Sequence, residues 1–113
     1  MAKLWPLMCL AVVAAACGDS KPHSAAAIRA CLSDRLPRSA YDRVVATSEE
    51  GVVSLNYFRR GEETAVSIFP GESDAVEAKA AEARLGDAHD QRIRNVLVNG
   101  GGAIETAVRA CAE

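Results

Sequence analysis

The chain has no apolar run of 18 residues, no excess of basic charge, only two histidines and few large apolar side chains. Each shortage excludes something. The longest apolar stretch, Leu4 to Ala16, has 13 residues; at ~1.5 Å per residue it is too short to span a ~30 Å hydrocarbon core as a permanent helix. A formal net charge of −2 gives the chain as a whole no electrostatic hold on nucleic acid or on an anionic lipid surface, so no nucleic-acid partner is expected. With His23 and His89 the only histidines, no Ser-His-Asp set stands out. After Cys17, Val, Ile, Leu, Phe and Tyr together supply 22 residues. Such a chain builds one thin core with little surplus over its conformational entropy, and it stands to gain from a covalent staple.

What is present begins with an ordered leader. Met1-Ala2-Lys3 carries one positive charge, Leu4 to Val13 is apolar, and Ala14-Ala15-Ala16 supplies small residues before Cys17. That layout is a secretory signal peptide over residues 1–16. The segment resembles the leader of bacterial lipoproteins, whose cleavage box runs Leu, a small residue, Gly or Ala, then Cys. Ala15, Ala16 and Cys17 match, and Ala14 departs from the usual leucine. The resemblance covers about the first twenty residues. It implies that Cys17 receives a thioether diacylglycerol and an amide-linked acyl chain after cleavage, which anchors the protein on a membrane of the cell envelope. The anchor would lie on the outer face of the cell membrane or, in a two-membrane cell, on a periplasm-facing leaflet. Ala14-x-Ala16 also fits a general signal peptidase, in which case Cys17 keeps a free thiol.

Four cysteines are present: Cys9, Cys17, Cys31 and Cys111. Cys9 leaves with the leader. If Cys17 is acylated, two remain in an oxidising compartment and can pair; if not, one of three is left over. Two buried free thiols are the alternative, and a metal pair lacks a Cys or His at ligand spacing.

The 113 residues suit a lipidated tether at 17–23, containing His23, and a single domain at 24–113. Ser24 is placed to cap a helix whose Ile28, Cys31, Leu32 and Leu36 share one face, ended by Pro37. Residues 42–47 suit a short strand. Val53, Leu55 and Tyr57 alternate in the next, and Thr64, Val66 and Ile68 in the one after, joined at Arg60-Gly61. An alanine-rich helix capped by Ser73 or Asp74 and stopped by Gly86 is expected to bury Val76, Ala80 and Ala83. Residues 92–98 suit one strand. A last helix places Ile104, Ala107, Val108 and Cys111 on one face. The expected fold is α+β, ordered α-β-β-β-α-β-α, with a mainly antiparallel sheet of three or four strands, helices on one face, and a Cys31–Cys111 disulfide.

Three segments invite chemistry. Asp87, His89 and Asp90 in one polar loop form a trio able to hold a cation or a general base, although a solvated loop explains them as well. Asn99-Gly100-Gly101-Gly102 precedes a helix but lacks the lysine and Ser/Thr of a phosphate loop, which leaves a turn. Arg59, Arg60, Glu62 and Glu63 crowd a hairpin tip, where they can pair or meet a partner. The reading is a membrane-anchored, non-enzymatic binding or accessory module without a cofactor or metal, contacting an envelope protein. An inhibitor or immunity-type lipoprotein against an envelope-damaging enzyme is an alternative. A small metal-dependent hydrolase using the His89 loop is another.

Overall fold

Ser24 starts the first helix as the spacing predicts: its hydroxyl accepts the Ala27 N–H at 3.1 Å. The structure, a computed structural model, describes residues 23–86 and 90–113. The expected leader, the expected lipidation site Cys17 and most of the expected tether therefore lie outside the described residues. Helix α1 runs Ala25–Arg35, and Pro37, which can neither donate a backbone hydrogen bond nor continue the helix, follows. A single 3₁₀ turn, Arg38–Ala40, leads into the sheet.

The sheet has five strands, all antiparallel: β1 (Arg43–Glu49), β2 (Val52–Arg59), β3 (Glu62–Ile68), β4 (Gln91–Ile93) and β5 (Val96–Asn99), in the order β1-β2-β3-β5-β4. Helix α2 (Glu72–Arg84) joins β3 to β4, and α3 (Gly102–Ala112) closes the chain. The fold is α+β with one disulfide, Cys31–Cys111, whose Cα atoms stand 5.7 Å apart.

Two-residue turns set the register of both long hairpins. Glu50-Gly51 and Arg60-Gly61 all have φ between 52° and 81°, the left-handed conformation that matches the twist of paired strands. Alternation then sends Val53, Leu55 and Tyr57 of β2, and Val66 and Ile68 of β3, to one buried face. There they meet Ile28, Leu32 and Leu36 of α1 and Ile104, Ala107, Val108 and Cys111 of α3. The two terminal helices thus cover one face of the sheet and are tied together by the bridge between their inner stripes.

The stretch expected as one strand at 92–98 is two. The chain reverses at Arg94-Asn95, with Arg94 at φ 57°, and Ile93 pairs with Val96. That reversal raises the strand count to five. Val96 and Val98 point into the main core, so Leu97 between them points to the other face. Helix α2 lies there against β4 and β5. Arg92, opposite Leu97 in the β4–β5 pair, ion-pairs with Glu72 in the first turn of α2 at 2.8 Å. The buried face of α2 differs from the expected one: Ala75 is fully buried while Val76 is 47 % exposed and Ala80 and Ala83 are exposed. In a helix this rich in alanine, one valine marks no stripe, and the tight approach of Ala75 decides the rotation. The helix also begins earlier than expected, with Gly71 at the N-cap position instead of Ser73 or Asp74.

Candidate functional site

The helix layer does not reach the outer edge of the sheet. Helix α1 lies over β2 and β3, so β1 projects beyond it, and a cleft of about 530 Å³ opens between them. Leu36, Val44, Ala46, Leu55 and Tyr57 form its apolar walls, and Arg29, Ser33 and Arg38 line it with polar groups. Arg29, Ser33 and Leu36 fall at i, i+4 and i+7 of one helical flank, which is why a single helix supplies both guanidinium and leucine. No carboxylate is among the lining residues.

Arg38 is held in place by the sheet edge. The turn at Glu50-Gly51 makes Glu49 and Val52 the closing hydrogen-bonded pair, so the backbone groups of Val44, Ala46 and Ser48 point away from β2. The Val44 carbonyl, which no strand can take up at this edge, accepts from Arg38 Nη2 at 3.0 Å. That contact covers part of an exposed strand edge, and Arg38 also lines the cleft.

Tyr57 forms the inner wall and is buried. Its ring lies 5.1 Å from that of Tyr41, tilted by 57°. A second cavity of about 300 Å³ lies beyond the same ring, lined by Tyr41, Tyr57, Arg59, Arg60, Glu62, Thr64 and the start of α3. Burial raises the Tyr57 phenol above its ordinary value of 10.0; neighbouring Tyr41 raises it further, and the positive charge of Arg29 acts in the opposite direction. The phenol is therefore a neutral hydrogen-bond donor at physiological pH. Because folding favours the neutral form, its contribution to stability is present below pH ~10 and is lost as pH rises through the raised value. A Tyr41→Phe variant, in which Tyr57 is the sole tyrosine, should titrate at 295 nm with a midpoint above 10.0. Adding Arg29→Gln should move that midpoint higher still; a midpoint that stays or falls would place Arg29 away from the phenol.

The residues singled out in the sequence are dispersed. Asp87 and His89 lie outside the described residues, while the carbonyl of Asp90 accepts from Lys79 Nζ of α2 at 2.6 Å. Among the described residues, no three His, Cys, Asp or Glu side chains gather as a metal site, and no helix is long and apolar enough to cross a membrane. Of Asn99 to Gly102, Asn99 ends β5, Gly102 starts α3, and Gly100-Gly101 form the turn between them. Gly100 has φ 122°, and a Cβ on it would stand 3.0 Å from Thr64 Cγ2, so glycine there answers to the backbone and to crowding. At the hairpin tip, Arg59 pairs with Glu62 in register. The Arg60 N–H donates to Asp42 Oδ2 at 2.8 Å, so the tip is tied back to the start of β1. His23, placed by the sequence in the tether, contributes its carbonyl, which accepts from Asn95 Nδ2 at 3.0 Å.

Arg29, Arg38 and Tyr41 were not singled out by pattern, and Tyr57 only as a member of the β2 alternation. Their only sequence signal is Arg29 flanking the apolar stripe of α1 and a tyrosine ending the apolar alternation of β2. Comparison with protein families, with characterised proteins and with solved structures yields no match.

Proposed function

We propose that this chain is a lipid-anchored, non-enzymatic binding or accessory module of a bacterial cell envelope, and that the cleft between α1 and β1–β2 is its contact site. The observation that carries the binding half is the cleft itself. A thin core leaves two guanidinium-bearing side chains facing a 530 Å³ space floored by leucine, valine and tyrosine, a size and lining typical of ligand sites. The anchoring half rests on the leader and on cysteine parity. With Cys31 and Cys111 joined, an unmodified Cys17 would be left as an odd thiol in an oxidising compartment.

Two measurements test the two halves. Cys17→Ser is expected to leave the precursor unprocessed by the lipoprotein route and to abolish the acyl mass on the mature protein. Unchanged processing and membrane partitioning would refute the anchor. For the cleft, a photo-crosslinking residue at Ala46 is compared with one at Glu77, which is exposed on α2. A defined adduct in the envelope from position 46 and none from 77 is the expected result; equal labelling, or none, removes the cleft as the site.

A further inference from the structure

The chemistry of the cleft narrows what it takes. Its charged lining is of one sign, two arginines with no carboxylate among the lining residues, and a positive lining favours an anion. Guanidinium forks bind carboxylate or phosphate oxygens with two parallel hydrogen bonds. Arg38, held through Nη2 on the Val44 carbonyl, has further N–H groups with which to donate. Apart from Ser33, the remaining lining residues are apolar and would gain nothing from a bare anion. Burying them requires a ligand with a hydrocarbon body. The volume suits one drug-sized molecule. The anchor supplies proximity. Cys17 stands seven residues before Ser24, a stretch spanning at most about 25 Å when extended, so α1 stays near acyl chains.

Resting on the binding-module reading, we infer that the cleft binds a single-chain anionic lipid, its acid head between Arg29 and Arg38 and its chain along Leu36, Val44, Leu55 and Tyr57. Tyr57 and Ser33 can each donate a hydroxyl hydrogen to the head, and the phenol stays protonated throughout the physiological range.

The test uses the mature protein, lipidated at Cys17, in phosphatidylcholine nanodiscs. Trp5, the only tryptophan, leaves with the leader, so Tyr41 and Tyr57 are the reporting fluorophores. Decanoate should change their emission saturably, and Arg29→Gln with Arg38→Gln should weaken that binding at least tenfold. Both arginines are exposed, so the double variant should fold; its thermal midpoint is the control. Decyl glucoside, a neutral amphiphile of equal chain length, should bind at least tenfold more weakly than decanoate. Inorganic phosphate should give no change. Equal binding of glucoside and decanoate, or indifference to the arginines, overturns the assignment. So does saturable binding of inorganic phosphate, or of hexaglutamate in place of decanoate. If decanoate fails while Ala46 still yields a specific adduct, the lipid assignment falls and the contact site stands. If both fail, the contact site falls too.

Discussion

Replacing Cys31 and Cys111 together is expected to destabilise the domain by about 4 kcal/mol, the largest single effect in the molecule. The bridge closes a separation of 80 residues. Loop-closure entropy for a loop of that length is about 4 kcal/mol at 25 °C. For a domain of this size, each kcal/mol shifts the thermal midpoint by roughly 4–8 °C, so a fall on the order of 20 °C should appear in circular dichroism. Marginal domains hold only about 5–15 kcal/mol in all, and a large part of this one's reserve would go. Cys111 is buried while Cys31 is only half-buried. Serine at 111 therefore adds a desolvated hydroxyl, and the alanine pair separates that contribution from the loss of the cross-link. Reduction of the unaltered protein should give the same fall as the alanine pair. A drop below about 1 kcal/mol would mean that apolar contacts between α1 and α3 already fix the two chain ends.

The pairing was legible because two independent patterns converge. Cys31 lies on the stripe of Ile28, Leu32 and Leu36, Cys111 on that of Ile104, Ala107 and Val108, and both stripes enter the same core. The β2–β3 hairpin was legible for a similar reason, since its period-two alternation coincides with a two-residue turn ending in glycine. The β4–β5 reversal was not. Arg94-Asn95 lacks glycine, and a continuous apolar run such as Val96-Leu97-Val98 looks alike whether it continues a strand or begins one. The rotation of α2 was hidden by alanine, which carries too little contrast to mark a face. The cleft is the least legible feature. It arises from the lateral offset of a helix layer over a sheet edge, and no periodicity within a single element encodes that offset.

The reversal at Arg94-Asn95 leads to the second large effect. Among the described residues, Asn95 is the one polar side chain fully shut off from solvent. Its Nδ2 donates to the carbonyls of Phe69 at 2.8 Å and His23 at 3.0 Å, and the Phe69 N–H donates to the Asn95 carbonyl at 2.8 Å. One amide therefore joins the end of β3, the turn before β5 and the residue that leads into α1. Asn95→Leu keeps the number of side-chain heavy atoms, adds bulk and removes both donations, leaving two carbonyls without a side-chain partner. Each such loss costs ~1–3 kcal/mol, so a fall of about 3 kcal/mol is expected. Asn95→Asp distinguishes lost hydrogen bonds from poor packing. The carboxylate has nearly the same shape, but when ionised it faces two carbonyl oxygens and can donate to neither. Burial raises its pKa above the unfolded value of about 3.9. Folding then favours the protonated acid, whose single O–H restores one of the two bonds. Relative to the parent protein, the aspartate variant should be least impaired below pH ~4 and should lose stability as pH rises through the raised value. Urea unfolding at pH 3.5 and 7 reads this directly. Equal deficits for Asn95→Asp and Asn95→Leu at both pH values would show that packing at this turn, and not donation to His23 and Phe69, is what the asparagine provides.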